Sequence, residues 1–225
     1  MKKILITGAN GFIGNSLYKT LLNSGRLCVG TVRSSNLKSS NINIKYIPVD
    51  NIGISTNWKI ALKGVDCIIH CAGRAHKMKK IDANEKKILN SVNVDGTKQL
   101  AKQAAELGVK RLVFLSSIKV NGEVTQEKET FRYNDAPNPK DAYAKSKLEA
   151  EKVLWKVSSE LGLEIVIVRL PLVYGFDVRG NLARLIKLIK SNVFLPLSLV
   201  KNQRSMIGID NLVDLLNHCI DNPNA

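Results

Sequence analysis

The sequence predicts an α/β fold, a doubly wound parallel sheet that is covered by helices on both faces. Short runs rich in valine and isoleucine alternate along the chain with longer segments of helical periodicity. Elements that alternate in this way form parallel sheets. The apolar runs are continuous, as expected of strands that are buried on both sides. A third observation is that the first apolar run is followed by the glycine-rich stretch Gly8-Ala9-Asn10-Gly11-Phe12-Ile13-Gly14.

The predicted elements follow one another with short connections. Strands are predicted at residues 3–6, 28–32, 44–49, 66–71, 111–116 and 164–169. Helices are predicted at residues 13–23, 56–63, 85–107, 142–161 and 179–190. The stretch 122–141 is rich in charge, asparagine and proline, and it is predicted to be a loop. Residues 170–225 are less regular, apart from an amphipathic helix over 211–219.

The first turn of this fold is predicted to bind a dinucleotide. Glycines let the backbone turn tightly and approach a pyrophosphate, and the helix behind them presents N–H groups and the positive end of its dipole. A strand before the motif and a helix after it are the context that makes it specific. We therefore predict a Rossmann-type fold in which the cofactor contacts Gly8, Asn10, Gly11, Phe12, Ile13 and Gly14.

The end of the second strand indicates which dinucleotide binds. In such folds an acidic residue about 20 positions beyond the glycines binds the ribose hydroxyls of NAD. This chain has Arg33 and Ser34 there instead. An arginine can pair with a 2′-phosphate through two parallel hydrogen bonds, which favours NADP over NAD. Asp50, after the third strand, is positioned to accept a hydrogen bond from the adenine amino group.

A second group of residues further along the chain carries chemistry. The fifth strand ends at Ser116 and Ser117, and a helical segment begins near Tyr143 and Lys147. A tyrosine and a lysine four residues apart share one helix face. An ammonium beside a phenol favours the phenolate, so we expect the pKa of Tyr143 to be lowered. The tyrosine can then exchange a proton with a carbinol or carbonyl oxygen that the serine hydroxyl holds.

The composition is that of an ordinary globular protein. The chain has 225 residues, 44% of them apolar and 24% charged, enough for one sizeable core. No run approaches the roughly 20 apolar residues of a membrane helix, and Met1 is too close to the first strand for a signal peptide. We therefore expect a cytoplasmic protein without integral membrane association. The cysteines are expected to be buried free thiols rather than metal ligands: Cys28, Cys67, Cys71 and Cys219.

The net charge of +15 has three interpretations. The densest basic cluster consists of Arg74, His76, Lys77, Lys79 and Lys80, with Lys86 and Lys87 close behind. The first interpretation is a solvated surface with lysines spread over helix faces. The second is attraction of a nucleotide diphosphate or an acidic membrane surface. Binding of nucleic acid rests on charge alone, without interleaved aromatic residues, and is not expected.

Together these motifs resemble those of the extended short-chain dehydrogenase/reductase family, which comprises nucleotide-sugar epimerases, dehydratases and reductases. The resemblance covers the whole chain, in the segments 7–14, 70–73, 93–97, 116–123, 143–147, 169–175, 204 and 210–213. It implies that Ser117, Tyr143 and Lys147 are catalytic. It also implies cofactor contacts from Cys71, Ala72, Gly73, Asn93, Ser116 and Pro171. Substrate contacts are implied for Lys119, Asn181 and Arg204.

The residues that follow Ser117 indicate which of the family's reactions to expect. Dehydratases of the family carry an Asp-Glu pair just after this hydroxyl, whereas the present chain has Ile118 and Lys119 after Ser117. Elimination of water is therefore not expected. Asn121 stands where the family usually has tyrosine. The stretch 116–123 is similar to a subgroup that is tied to bacterial surface polysaccharides and contains UDP-sugar 4-epimerases and 4-keto reductases.

The resemblance leaves three hypotheses about activity. The leading one is reduction of a UDP-4-keto-6-deoxy-N-acetylhexosamine at carbon 4 by NADPH, with Tyr143 as proton donor, Lys147 tuning it and Ser117 orienting the carbonyl. The alternative is a UDP-sugar 4-epimerase with bound NAD, acting on UDP-glucose or UDP-N-acetylglucosamine with the same residues. The third is a catalytically idle NADP-binding protein.

Two further expectations follow from the family. Its members are usually longer than this chain, so we expect a dinucleotide-binding domain over 1–170 and a partial, C-terminally incomplete substrate-binding region over 171–225. Its members are usually dimers through two helices, here 85–107 and 142–161. A homodimer is therefore expected, although the apolar residues of these helices would equally serve an intramolecular core.

Overall fold

The computed structural model describes residues 1–33, 46–75, 82–126, 129–178, 180–191 and 203–225. The strands are β1 (Lys3–Thr7), β2 (Leu27–Val32), β3 (Tyr46–Pro48), β4 (Cys67–His70), β5 (Arg111–Ser117), β6 (Glu164–Leu170), β7 (Leu172–Tyr174) and β8 (Met206–Gly208). The helices are α1 (Phe12–Asn23), α2 (Lys59–Leu62), α3 (Ala83–Asn90), α4 (Gly96–Glu106), α5 (Ala142–Leu161), α6 (Asn181–Lys190) and α7 (Ile209–Asp221). A π-helical turn, Ser91–Asp95, joins α3 to α4, and a 3-10 turn, Ile118–Val120, follows β5.

Strands β1 to β6 form one sheet in the order β3-β2-β1-β4-β5-β6, and every neighbouring pair is parallel. The order reverses between β1 and β4, so the carboxyl ends of these two strands open a crevice of the kind that binds dinucleotides. This is the order of a Rossmann-type doubly wound sheet, and the predicted fold class is confirmed. Strands β7 and β8 pair in parallel as a separate two-stranded sheet.

Apolar side chains fill both faces of the large sheet. On one face, Ile4 and Ile6 of β1 belong to a core that also contains side chains of α1 and α7. On the other face, Leu5 belongs to a second core with side chains of α2, α4 and α5. Successive side chains of a strand point to opposite faces, and here both faces are buried. This explains why the strand is apolar without interruption.

The structure differs from the predicted elements in a few places. The predicted helix 85–107 is divided into α3, the π turn and α4, because the apolar periodicity continues through the π turn and hides the interruption. Strands β7 and β8 are not predicted, since three residues give no periodic signal. The described residues of the predicted loop 122–141 form no helix or strand. Residues 44 and 45 of the predicted third strand lie outside the described ranges.

Helix α7 helps to cover one face of the large sheet, although it comes almost at the end of the chain. It packs against α1, and its buried residues are Ile209, Leu212, Val213, Leu216, Cys219 and Ile220. The segment 209–221 therefore shares the core of the large sheet. Helix α6, by contrast, has no buried residue. The division of the chain at residue 170 stays a prediction.

Helices α4 and α5 are those expected to form a dimer interface. They pack against each other and, through the second core, against the sheet within a single chain. Some apolar residues remain exposed on this pair, among them Trp155 at 53%. The homodimer stays a prediction.

Candidate active site

The glycine-rich turn between β1 and α1 has the shape of an anion-binding cradle. Gly8 has φ +66°, a left-handed backbone conformation that favours glycine. A Cβ atom on Gly14 would lie 2.3 Å from the carbonyl oxygen of Gly8, and one on Gly11 would lie 3.2 Å from the same atom. Helix α1 begins at Phe12 without a side-chain cap or an acidic residue in its first turn. Its first N–H groups and its dipole therefore suit a pyrophosphate.

The other residues predicted for this turn lie around it. Asn10 is exposed at the surface of the turn. Phe12 and Ile13 are partly buried and pack against the core beneath α1. The main-chain N–H of Ala9 donates to the carbonyl oxygen of Thr31 at 3.0 Å, which fastens the turn to β2.

Arg33 and Asp50 lie at the same end of the sheet as the glycine turn. Arg33 follows β2 and Asp50 follows β3, and these two strands are parallel neighbours. Both residues are exposed. The placement suits contacts to the adenosine half of a dinucleotide, while the choice of NADP stays a prediction. Ser34, the other residue of that prediction, lies outside the described residues.

Buried hydrogen bonds fasten the end of β4 to β1 and α4. The hydroxyl of Thr7 lies 2.6 Å from Nδ1 of His70 and accepts a hydrogen bond from the N–H of Ala72 at 3.1 Å. Nε2 of His70 lies 3.1 Å from the hydroxyl of Thr97. Burial, together with the nearby Lys147 ammonium, lowers the pKa of His70 to about 3. The ring is therefore neutral at physiological pH and acts as a structural link.

The segment 71–73, predicted to contact the cofactor, passes between the glycine turn and α5. A Cβ atom on Gly8 would lie 3.0 Å from Cα of Ala72. One on Gly73 would lie 3.6 Å from Nζ of Lys147 and 3.4 Å from Oδ1 of Asn93. The structure thus brings this segment together with predicted residues from three other parts of the sequence.

Asn93 lies in the π turn and is 2% exposed. Its Oδ1 accepts from the N–H of Arg74 at 2.8 Å, and its Nδ2 donates to the carbonyl oxygen of Arg74 at 3.1 Å and to the hydroxyl of Ser146 at 3.0 Å. The guanidinium of Arg74 forms two hydrogen bonds with Glu85 of α3, at 2.8 and 2.9 Å. Asn93 therefore joins the loop beyond β4 to α5. In this structure its side chain is hydrogen-bonded to that loop, and its predicted contact with the cofactor stays a prediction. Single π turns within helices are frequent at functional sites.

The predicted catalytic serine and tyrosine come from elements that are tied to each other. Ser117 ends β5, and its Oγ accepts from the N–H of Lys119 at 3.3 Å. Tyr143 is the second residue of α5, whose first turn is capped by Asp141 accepting from the N–H of Ala144 at 2.7 Å. Nζ of Lys119 donates to the other carboxylate oxygen of Asp141 at 2.6 Å. This ion pair joins the turn after Ser117 to the start of the tyrosine's helix.

Lys147 lies one helical turn beyond Tyr143 and is only 5% exposed. Its Nζ lies 4.3 Å from the centre of the Phe114 ring, within the range of a cation–π contact. Burial lowers the pKa of Lys147 to about 8, while Cys71 and Glu151 act in the opposite direction. The residue is therefore mostly an ammonium at neutral pH, although it is buried.

The expectation that Lys147 lowers the pKa of Tyr143 is wrong for this structure. Burial, and then the carboxylate of Asp141, raise the pKa of Tyr143 to about 12. The physical reason is that the buried phenolate loses its hydration and is repelled by the Asp141 carboxylate, and no effect of Lys147 offsets these two causes. Tyr143 is thus held as a neutral phenol, the form that donates a proton.

Ser116, predicted to contact the cofactor, turns its hydroxyl inward, and the cofactor contact stays a prediction. It is 3% exposed, and its hydroxyl donates to Oε1 of Glu151 on α5. Glu151 is itself 2% exposed and pairs with Arg169 of β6 at 2.7 Å. The hydroxyl of Ser116 is therefore committed to the interior. Ser117, the next residue, is only partly buried and lies at the carboxyl end of β5.

The predicted substrate-side residues are spread over the second part of the chain. Pro171, which is predicted to contact the cofactor, follows β6 at the same sheet edge as Ser117 and is partly buried. Asn181 begins α6 and Arg204 precedes β8, and both are exposed. A cavity of about 370 Å³ is lined by the loop residues 121–124, 131, 135, 136, 138 and 140. The roles of Lys119, Asn181 and Arg204 stay predictions.

Sequence reasoning missed the buried residues that hold the site together. Thr7 and Thr97 lie in recognised motifs, but their link through His70 depends on the pairing of β1 with β4. Glu151 left a readable signal, since it lies four residues after Lys147 and eight after Tyr143. That spacing places it on the face of α5 that carries the reacting residues.

Several other sequence expectations can be compared with the described residues. Cys28, Cys67, Cys71 and Cys219 are free thiols, as predicted, and all but Cys71 are buried.

Within the described ranges, no group of three or more His, Cys, Asp or Glu residues could hold a metal ion. The helices that the structure describes include none long and apolar enough to cross a membrane. Most of the basic cluster, namely His76, Lys77, Lys79 and Lys80, lies outside the described residues.

The chain is similar to known proteins over its whole length. The sequence profile of the NAD dependent epimerase/dehydratase family matches residues 4–225. The chain is 42% identical to UDP-glucose 4-epimerase of Vibrio cholerae, covering 100% of this chain and 68% of that protein. It is 25% identical to N-acetyl-alpha-D-glucosaminyl-diphospho-ditrans,octacis-undecaprenol 4-epimerase of Escherichia coli O157:H7, covering 97% of this chain and 63% of that one. The chain thus spans about two thirds of the length of these relatives.

Solved structures share the fold. UDP-glucuronic acid 4-epimerase from Bacillus cereus, in complex with UDP-glucuronic acid and NAD, gives a TM-score of 0.83 at 24% identity, over 98% of this chain and 74% of that chain. UDP-glucose 4-epimerase of Thermus thermophilus, in complex with NAD, gives a TM-score of 0.82 at 22% identity, over 97% of this chain and 74% of that chain. At these identities the likeness shows the fold alone.

Proposed function

Because the chain belongs to the NAD-dependent epimerase/dehydratase family, we propose that it epimerises a UDP-linked sugar at carbon 4 with NAD as cofactor. The observation that carries this proposal is the likeness to UDP-glucose 4-epimerase of Vibrio cholerae along the entire chain. The geometry supports it, since Ser117 ends β5 and Tyr143 lies in the first turn of α5, at the sheet edge that also carries the glycine turn. The proposal replaces the sequence-based preference for a reductase, which remains unconfirmed.

The residues of the glycine turn fit a dinucleotide. Side chains at Gly11 and Gly14 would fill the space against Gly8, and the uncapped start of α1 offers N–H groups to a pyrophosphate. In this proposal Lys147 offers its ammonium to the nicotinamide ribose, and the segment 71–73 lines the same crevice. When bound, the nicotinamide supplies a hydride acceptor and donor for carbon 4.

Tyr143 moves the proton in this proposal. Its phenolate takes the proton of the 4-hydroxyl in the first half of the reaction, and its phenol returns a proton to the carbonyl oxygen in the second. Burial, which raises the pKa of Tyr143 to about 12, favours the phenol and thus the second half. The first half needs the phenolate, and we assign its stabilisation in the complex with substrate and cofactor to the ammonium of Lys147. Ser117 holds the sugar oxygen during both halves.

In this proposal the substrate is held by Lys119, which follows β5, and by Asn181 and Arg204, which follow β6. Lys119 and Arg204 are cations suited to a diphosphate, and Asn181 offers an amide to the sugar. The sugar itself is assigned by class only. UDP-glucose and UDP-N-acetylglucosamine are the first candidates. The N-acetylglucosaminyl diphosphate on an undecaprenol carrier, named for the Escherichia coli relative, is the second.

One observation favours a second candidate function, an NADPH-dependent 4-keto reductase. Arg33 stands at the end of β2, where NAD-binding folds usually carry an acid, and it is exposed. A guanidinium there suits a 2′-phosphate. The same Ser117, Tyr143 and Lys147 would serve this reaction. A dehydratase has no such support, because Ile118 and Lys119 replace the acid/base pair.

The experiment that separates these candidates begins with the cofactor. The purified protein is denatured, the released nucleotides are identified by chromatography, and NAD, NADH and NADPH are titrated into the cofactor-free protein. Retained NAD, with interconversion of 4-epimers and no net consumption of cofactor, supports the proposal. Consumption of NADPH with a UDP-4-keto-6-deoxy sugar supports the reductase. An Arg33→Ala variant that loses affinity for NADPH but keeps its affinity for NADH would assign Arg33 to the 2′-phosphate.

A further inference from the structure

We propose that Glu151 is a positioning residue for the reaction: it fixes the strand end that carries Ser117 and maintains a negative charge beside Lys147. The inference rests on the proposed function and names a residue that the recognised motifs leave out. Tyr143, Lys147 and Glu151 follow one another at intervals of four, so they lie on one face of α5. The reacting pair is thereby extended into a row of three ionisable side chains.

The carboxylate of Glu151 is nearly inaccessible and fully engaged. The residue is 2% exposed. Oε1 accepts from the hydroxyl of Ser116 and from Nε of Arg169 at 3.1 Å, and Oε2 accepts from Nη2 of Arg169 at 2.7 Å. Two-pronged pairing of this kind is strong and directional. Apolar residues often replace a buried ion pair without loss of stability, so this pair is weak evidence for a purely stabilising role.

The hydrogen bond of Ser116 affects the reacting hydroxyl of Ser117 through the backbone that joins the two residues. Ser116 faces Arg169 across the parallel pair of β5 and β6, and Ser117 is the next residue. Successive side chains of a strand have opposite directions. Holding the side chain of Ser116 on Glu151 therefore sets the rotation of the strand end and the direction in which Ser117 presents its hydroxyl.

The same ion pair extends to the loop that follows Ser117. Nη1 of Arg169 donates to Oδ1 of Asn121 at 3.1 Å, and Nδ2 of Asn121 donates to the carbonyl oxygen of Arg132 at 2.9 Å. Asn121 is 4% exposed. Glu151 thus anchors, through one guanidinium, a strand end and a loop that both border the reacting residues.

Charge is the second means by which Glu151 acts. Within the described residues, the charges of His70, Cys71 and Glu151 interact with that of Lys147. Tyr143 precedes Lys147 by one helical turn, and Arg169 is paired with Glu151. Burial keeps His70, Cys71 and Tyr143 in their neutral forms, since it lowers the pKa of the imidazole and raises those of the thiol and the phenol. Cys71 and then Glu151 oppose the effect of burial on Lys147. Of the two, Glu151 is the one held in an ion pair, with Arg169 at 2.7 Å, and we assign the lasting part of this effect to it.

The test compares Glu151→Gln with Glu149→Gln, a change of the same kind on an exposed part of the same helix. Glu149 is paired with Lys152 at the surface. We expect Glu151→Gln to lower kcat at least tenfold while KM changes less than twofold, and to move the alkaline limb of the kcat profile to lower pH. Ser116→Ala is expected to lower kcat without moving that limb. Glu149→Gln is expected to match the unchanged protein in both respects.

A readout that does not require turnover keeps this inference separate from the proposed function. The Lys147 13Cε resonance, assigned with a Lys147→Met variant, is titrated by NMR in the unchanged protein and in Glu151→Gln. A lower midpoint in the variant supports the charge role even if no sugar is epimerised. An unchanged midpoint together with unchanged kcat, or a change in KM alone, overturns the proposal. If Glu151→Gln does not fold, the double variant Glu151→Gln with Arg169→Met is used, because it also removes the guanidinium that would be left unpaired. A lower Lys147 midpoint then supports the proposal, and an unchanged midpoint with unchanged kcat overturns it.

Discussion

At the scale of the residue, burial decides the protonation states of the site. It lowers the pKa of His70 to about 3 and that of Lys147 to about 8, and it raises the pKa of Tyr143 to about 12. All three shifts favour the neutral form, as desolvation requires. The few charged contacts that oppose them therefore have large consequences. This is the physical basis for assigning a role to Glu151.

His70 is predicted to make the protein less stable in mild acid. Its folded pKa of about 3 lies below the unfolded value of 6.5, so the unfolded state binds more protons between these values. Stability present above pH 6.5 is then lost as pH falls, by about 2 kcal/mol between pH 7 and pH 5. Urea unfolding at both pH values should show a smaller loss for His70→Asn. His218→Asn, which changes an exposed histidine, should keep the full loss. Equal losses in all three proteins would contradict the burial argument.

Tyr143→Phe is predicted to abolish turnover and to leave the fold and cofactor affinity unchanged. The change removes the hydroxyl that exchanges the proton and keeps the buried ring. Loss of a general acid/base typically costs about 100-fold to 10,000-fold in rate. Initial rates of epimerisation and a nicotinamide titration measure the two properties. A variant that turns over at more than a tenth of the normal rate would remove Tyr143 from the mechanism.

At the scale of the element, two irregular segments shape the crevice at the carboxyl edge of the sheet. The glycine turn brings the start of α1 against β1, and the π turn Ser91–Asp95 directs Asn93 inward between a loop and α5. Both segments depart from regular secondary structure at the candidate active site. Each can be tested by one substitution.

Gly14→Ala is predicted to disrupt cofactor binding. The new Cβ atom would lie 2.3 Å from the carbonyl oxygen of Gly8, so the backbone of the turn must shift. We expect the affinity for the dinucleotide to fall at least tenfold, with a lower unfolding temperature. Lys19→Ala, on the exposed side of α1, serves as the control and should alter neither. Normal affinity in Gly14→Ala would mean that the turn does not hold the pyrophosphate.

Asn93→Ala is predicted to destabilise the protein by about 1 to 3 kcal/mol. It removes three hydrogen bonds and leaves the part-buried main-chain N–H and carbonyl of Arg74 without these partners, while the hydroxyl of Ser146 keeps its hydrogen bond to Tyr143. Asn90→Ala, an exposed position one turn earlier, should change stability by less than about 0.5 kcal/mol. Urea unfolding measures both variants. Equal stabilities would show that the loop beyond β4 does not depend on the π turn.

At the scale of the whole molecule, the parts that sequence predicts are those set by local pattern. The continuous apolar runs and the glycine motif give the parallel sheet and the crevice, because burial on both faces leaves a direct trace in composition. The link from Ser116 to Glu151 spans 35 positions and that from Arg169 to Glu151 spans 18. Such contacts leave no periodic trace. The raised pKa of Tyr143 depends on the desolvation produced by the complete fold, which a motif does not reveal.

The central claim is that the whole chain acts as an epimerase through hydride transfer at carbon 4. The most direct test is to incubate the protein carrying NAD with UDP-glucose and UDP-N-acetylglucosamine deuterated at carbon 4, and to follow both 4-epimers by NMR. The account predicts formation of the 4-epimer with deuterium retained at carbon 4, without net consumption of cofactor, and no reaction in Tyr143→Phe. No epimer from either sugar, with NADPH consumed by a UDP-4-keto sugar instead, would contradict it.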